Sequence, residues 1–187
     1  MCLICFSFYI FIFMIKSKAD DRYLADETFQ QKVKNSLKID DIDFTKYDAI
    51  WMAGGWGAAY DLGQSDVLAQ KISEAYYDSN AIIGGVCHGP LGLINAKDEN
   101  GNLLIAGRKM SGVTDKQVRE LKINFTPLHP EEALRAAGAN FEANTASKDL
   151  FATHTVVDNE GRFVTGQNQN SGHVTAHEMM RLAKSAQ

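Results

Sequence analysis

From residue 47 onward the apolar positions fall into short runs separated by polar or glycine-rich breaks. Residues 47–55 (YDAIWMAGG) are an apolar run closed by glycines, the pattern of a buried parallel strand ending in a tight turn. Residues 66–79 place Val67, Leu68, Ile72, Ala75 and Tyr76 at helical spacing, with Ser65 as the N-cap. Residues 81–86 (AIIGGV) predict a second buried strand, which Cys87-His88-Gly89-Pro90 interrupts before an apolar helical stretch over residues 91–96. After the turn at residues 98–102 (DENGN), residues 103–113 predict an extended segment, and Thr114-Asp115-Lys116-Gln117 opens a helix with a capping-box pattern. Pro130 with Glu131 and Glu132 starts another helix that stops at Gly138. Residues 151–157 and 162–165 flank Asp158-Asn159-Glu160-Gly161 as a β-hairpin. Residues 171–186 form a last helix with Val174, Met179 or Met180, and Leu182 facing inward. This alternation predicts an α/β sandwich with a mainly parallel sheet.

The start of the chain is a different class of sequence. Residues 1–15 carry no charge and one strongly polar side chain, Ser7. As a helix they would rise about 22 Å, short of the roughly 30 Å hydrocarbon layer. No basic residue precedes the run and no A-x-A site follows it, so it does not read as an ordinary secretory signal. Three readings stay open: a truncated or mis-started frame, an anchor or atypical signal, and a buried strand or helix. The expected division is an atypical apolar segment over residues 1–18 and a single α/β domain over residues 19–187.

Composition narrows the function classes. A chain of 187 residues suits one domain with a real core. Its 45% hydrophobic and 22% charged content excludes wholesale disorder and a polytopic membrane protein, and no clear membrane association is indicated. With 23 acidic against 19 basic residues the net charge is −4, so the basic stripe that binds nucleic acid is missing. Cys2 and Cys5 lie in the apolar run, where a C-x-x-C pair would need a helix N-terminus to be redox-active. Beyond residue 15 the one cysteine is Cys87, so no disulfide framework is expected and a reducing, cytoplasmic location is.

Cys87 is the candidate nucleophile. A residue where a buried strand turns abruptly into a helix is exposed at the sheet's carboxyl edge, and a helix N-terminus there favours a thiolate. Gly84, Gly85 and Gly89 permit close backbone approach. The His88 N–H would face an oxyanion formed on an attacked carbonyl, and Gly54-Gly55-Trp56-Gly57 could supply a second donor, Gly55. From spacing alone an ordinary buried thiol is an equal alternative. His129 and His154 could line the cleft, with a helix cap and a strand-surface residue as the plainer readings. His173 and His177, beside Glu178, have i, i+4 spacing without a third ligand, so no metal site is assigned.

The stretch AIIGGVCHGP, preceded by YDAIWMAGGWG and followed by FVTGQNQNS, resembles the ThiJ/PfpI superfamily with its class I glutamine amidotransferase-like fold, particularly the stress-induced glyoxalase and chaperone branch. The resemblance runs from about residue 40 to the C-terminus. It implies a flavodoxin-like sandwich, Cys87 as nucleophile and His88 as neighbouring acid or base. It also implies an acid behind the histidine; Asp115 matches that position in one subgroup, and Glu120 competes with it. Gly166-Gln167-Asn168 resembles the family's loop near the site. The family's Glu between first strand and first helix has no match; Glu27 lacks the surrounding motif, and the first strand–helix unit is expected to be missing. A sheet shortened in this way would expose an apolar edge that a second copy could cover as a homodimer.

Two function classes follow. One is a cofactor-independent enzyme converting a small reactive carbonyl, methylglyoxal or another 2-oxoaldehyde, to its hydroxy acid through Cys87. The other is a non-catalytic or degenerate paralogue serving as a stress chaperone or redox sensor, which loss of the early Glu favours. A glutaminase would need a late His-x-Glu pair, and the chain has His177 and Glu178 adjacent instead.

Overall fold

The computed structural model describes residues 3–4, 18–123 and 125–186. Cys2 and Cys5 lie outside them. The apolar start contributes strand β1 (Leu3–Ile4), at an edge that the resemblance left empty. Helices α1 (Lys18–Ala25) and α2 (Glu27–Lys34) follow, the second capped by Asp26, whose carboxylate accepts from the Phe29 amide. Strand β2 (Ala49–Met52) is shorter than its apolar run, because the chain leaves the ladder toward Gly54 and Gly55. A single turn, α3 (Ala58–Asp61), leads to α4 (Asp66–Asp78), where the Ser65 hydroxyl accepts from the Leu68 amide at 3.1 Å. Leu68, Ile72 and Ala75 are buried as their spacing predicts. Strand β3 (Ile82–Val86) is buried along its whole length.

The next stretch departs from expectation. Residues 91–96 do not form an α-helix; the chain makes a five-residue 3-10 turn, Gly89–Leu93. Gly89, Pro90 and Gly92 lie inside it, and both residue types oppose α-helix propagation. Of residues 103–113 only Lys109–Met110 is strand, β4, paired in parallel with β5 (Asn140–Phe141). Between them lie α5 (Asp115–Glu120) and α6 (Pro130–Ala136), the latter followed by Gly138 in the left-handed region at φ +83°. Strands β6 (Thr155–Val157) and β7 (Phe163–Gly166) form the expected hairpin, and α7 (Gly172–Ser185) closes the described chain.

The main sheet runs β1-β2-β3-β7-β6, with β6 alone antiparallel to its neighbour. Strand alternation splits the core. Ile50, Met52, Ile83 and Phe163 join Leu68, Ile72 and Leu91 in the larger cluster. Ile82 and Val164 meet Met179 of α7 in the smaller one. The sheet is thus sandwiched, with α4 and the 3-10 turn on one face and α7 on the other. Of the alternatives Met179 and Met180 the first is the buried one, and Leu182 packs beside it as expected; Val174, also expected inward, is 59% exposed because it lies on the far side of that helix.

A buried carboxylate that the sequence pattern does not mark holds the region after β4 together. Asp149 accepts from the Thr114 hydroxyl at 2.8 Å, the Thr145 hydroxyl at 2.8 Å and the Ala146 amide at 3.2 Å, and pairs with Lys116 at 3.0 Å. Its own amide donates to Glu120 at 2.8 Å. Burial pushes the Asp149 pKa up, but the bonds from Lys116, Thr114, Thr145 and Ala146 outweigh it and hold it at about 2. The folded value lies below the unfolded one of about 3.9, so this stabilisation is complete above roughly pH 5 and disappears as pH falls through the folded value. Asp149→Asn is expected to lose about 2 kcal/mol at pH 7 and to show a flatter decline between pH 5 and 2 than the parent. Urea denaturation midpoints across that range check both; parallel curves would show that Asp149 does not carry the acid sensitivity.

Candidate active site

Strand β3 delivers Cys87 to the carboxyl edge of the sheet, where φ reaches +63°. Among the described residues only Lys122 shares a positive φ without being glycine. Such a conformation costs on the order of 1–3 kcal/mol and persists where the surroundings over-determine it. Here they do: the Cys87 amide donates to the Gly166 carbonyl at 3.0 Å, and its carbonyl accepts from Val113 at 3.1 Å. The turn after β2 closes against the same residue. A Cβ on Gly54 would stand 2.5 Å from the Val86 carbonyl oxygen and 2.7 Å from the Cys87 Cβ, so this approach requires glycine.

The backbone amides of Gly55 and His88 both act on the Cys87 sulfur in the direction that favours its thiolate. These are the two donors expected for an oxyanion, and the fold brings them to one atom. The expected acidic thiol is not found. Burial pushes the Cys87 pKa up by more than the Gly55 and His88 amides pull it down. The physical reason is local: a short 3-10 turn follows the cysteine in place of an α-helix, so the axial dipole that would favour a thiolate is small.

His88 is 4% exposed, with Nδ1 3.3 Å from the Cys87 sulfur. Burial, and after it the nearby charge of His129, lowers its pKa to about 4, so the imidazole is neutral at pH 7. Its other nitrogen, Nε2, is sealed from solvent and has no hydrogen-bond partner.

Asp115 begins α5, beside the N-cap Thr114, whose hydroxyl accepts from the Gln117 amide at 3.0 Å. The Asp115 amide donates to Glu131 at 3.0 Å. Its Oδ1 points inward, makes no hydrogen bond and lies 3.8 Å from His129 Nδ1. No hydrogen bond joins Asp115 to His88. Burial and then the Glu131 charge raise the Asp115 pKa. The competing acid, Glu120, is occupied in accepting from the Asp149 amide.

The other residues singled out by sequence separate into roles. Asp115 and His154 line a groove of about 680 Å³ together with Lys116, Arg119, Glu142 and Asn144. Gln167 and Asn168 are fully buried. The Gln167 amide clamps the Asn144 backbone from both sides at 2.9 Å, and Asn168 donates to the Asp149 and Ala152 carbonyls at 3.0 and 2.7 Å. These side chains hold loops together, although Gly166 beside them contacts the cysteine. His173 and His177 stack at 4.7 Å on the exposed side of α7. Among the described residues no group of three or more His, Cys, Asp or Glu side chains could hold a metal ion. No helix among them is long and apolar enough to cross a membrane. Sequence reasoning passed over Glu131 and Asp149, whose partners come from distant segments.

Comparison with known proteins gives this geometry relatives. Glyoxalase 3 of Candida albicans is 32% identical over 158 residues, a match covering 81% of this chain and 64% of that protein. The chain therefore spans a little under two-thirds of that relative's length. The crystal structure of glyoxalase III from Candida albicans superposes with a TM-score of 0.71 at 29% identity, covering 88% of this chain and 70% of that one. The X-ray structure of Rapid Encystment Protein 24 KDa from Francisella tularensis does so with a TM-score of 0.79 at 27% identity, covering 94% and 74%. With the DJ-1/PfpI family model matching residues 13–181, across both sheet-edge turns and the cysteine between them, the chain belongs to the DJ-1/PfpI family.

Proposed function

We propose that the chain acts as a cofactor-independent glyoxalase on 2-oxoaldehydes such as methylglyoxal, with Cys87 as nucleophile. The observation that carries this reading is the convergence of the Gly55 and His88 amides on a sulfur whose neighbour is a neutral imidazole. The relatives named as glyoxalases support it.

In the proposed reaction His88 Nδ1 takes the thiol proton as the sulfur adds to the aldehyde carbon. The carbonyl electron pair moves onto oxygen, which the Gly55 and His88 amides meet and which then takes up a proton, giving a hemithioacetal. Removal of the C1 proton gives an enediol, and protonation at C2 gives a thioester of Cys87. Water cleaves the thioester, releases the hydroxy acid and returns the thiol proton. Overall, one water adds to one methylglyoxal to give one lactic acid. Asp115 serves in this scheme as the acid behind His88.

A second reading, a member that captures carbonyls without turnover, is favoured by one observation. Glu27, the candidate for the carboxylate that would take the C1 proton, is exposed on helix α2 and is not set at the end of a buried strand. The two readings separate at the product. Mass spectrometry is expected to show one methylglyoxal added to the parent chain and none to Cys87→Ala, with slow lactate release that Cys87→Ala abolishes. An adduct without Cys87-dependent lactate would select the second reading, and absence of any adduct would overturn both.

The half-buried thiol makes a further prediction. Iodoacetamide alkylation of Cys87 is expected to rise with pH through a midpoint above the ordinary thiol value of about 8.5. A midpoint well below it would mean that the site favours the thiolate after all.

A further inference from the structure

We propose that Asn168 is a positioning residue of the Cys87 site: through Asp149 and Thr114 it fixes the spacing of the two chain segments that hold the cysteine in its left-handed conformation. The inference rests on the reading of Cys87 as the nucleophile.

The segments are residues 165–168, at the end of β7, and residues 111–114, which lead into α5. Three links join them in order along the chain. The first is direct: the Ser111 amide donates to the Thr165 hydroxyl at 2.7 Å. The second is Cys87 itself, whose amide donates to the Gly166 carbonyl at 3.0 Å and whose carbonyl accepts from the Val113 amide at 3.1 Å. The third runs through side chains. The Asn168 side-chain nitrogen donates to the Asp149 carbonyl at 3.0 Å, and the Asp149 carboxylate accepts from the Thr114 hydroxyl at 2.8 Å. The nucleophile is thus the middle link, with a hydrogen-bonded tie before it and another after it.

Ties on both sides leave Cys87 no slack. A strained residue that bridged two free segments would relax by letting them part, and the strain persists only where the surroundings forbid it. Neither segment can close up to compensate: a Cβ on Gly166 would stand 2.3 Å from the Thr175 hydroxyl, and one on Gly112 3.2 Å from the Cys87 carbonyl oxygen. Asn168, Asp149 and Thr114 are all buried, a placement that costs free energy unless their polar atoms are paired. They are paired with each other and with nearby backbone, the Asn168 nitrogen donating also to the Ala152 carbonyl at 2.7 Å. Such a link fixes distance and direction, whereas an apolar contact in the same place is non-directional.

Asn168→Asp opens the third link while keeping the oxygen that accepts from the Asn170 amide at 3.1 Å, so the turn before α7 stays capped. Thr114→Val opens the same link from the other segment, and Thr114→Ser keeps it. Ile72→Val, in the buried face of α4, controls for lost stability. Iodoacetamide alkylation, read at Cys87 by peptide mass in the folded variants at about pH 7.5, is expected to quicken roughly tenfold in Asn168→Asp and in Thr114→Val. Its midpoint should fall by about one pH unit toward the ordinary thiol value of about 8.5, because the sulfur leaves the burial that raises it. Thr114→Ser and Ile72→Val are expected to match the parent. Asn168→Asp combined with Thr114→Val should be no faster than either alone, since both open one link. If lactate is formed, kcat should fall roughly tenfold in each opened variant with KM little changed. The alkylation readouts need no turnover, so a chain that forms no lactate yet shows these changes keeps the link and loses the glyoxalase reading. Unchanged alkylation in either folded variant, or effects that multiply in the double variant, would overturn the link whatever the activity.

Discussion

The left-handed backbone at Cys87 is the constraint on which the rest of the structure depends. A non-glycine residue holds φ +63° only if its neighbours leave it no cheaper arrangement. The parallel ladder provides this, setting Met52 beside Gly85 and Val86 beside Gly166. Both strands flanking β3 thus end level with the elbow. Gly54 then lets the turn after β2 close on the cysteine, and Gly89, whose Cβ would meet the Met52 carbonyl, lets the chain leave without displacing that strand. Two amides from different turns come to face one sulfur as a consequence.

The same closure decides the resting chemistry. Removing a thiol and an imidazole from water disfavours the charged form of each, and the structure moves both in that direction, the thiol up and the imidazole down. The pair rests as neutral thiol and neutral histidine at 3.3 Å. The amides near the sulfur are too few to reverse this; in the proposed reaction they would meet the charge that develops as the sulfur attacks. A site of this kind stabilises an anion during reaction more than at rest, which is the differential binding that accelerates a chemical step.

Elements whose identity rests on local pattern were legible in the sequence. Leu68, Ile72 and Ala75 announce α4, Ile82 and Ile83 with their glycines announce β3, and the turn at Asp158–Gly161 announces the β6–β7 hairpin. Cys87, His88 and the Gly55 amide were legible for the same reason, being set by two strand ends and the turns that follow them. The pattern misleads where glycine and proline outvote hydrophobicity, as at Gly89–Leu93, and where the inward stripe of α7 narrows to Met179 and its neighbours. Asp149 stayed hidden because Thr114 and Lys116 reach it from the distant start of α5, and no spacing in a linear chain announces a carboxylate that joins them to its own neighbour Thr145.

The two halves of the site are consequently held by different forces. Cys87 and the Gly55 amide are fixed by backbone ladders and close contacts that do not titrate. Asp115 occupies the first turn of a six-residue helix, too short to persist by its own hydrogen bonds. That turn is tied down by Thr114 and Lys116 on Asp149, and by Glu131 on the Asp115 amide. The placement of Asp115 therefore depends on the Asp149 carboxylate staying ionised, whereas that of Cys87 does not. Acid strong enough to protonate Asp149, near its folded value of about 2, would loosen the turn that carries Asp115 before it disturbed the elbow around Cys87.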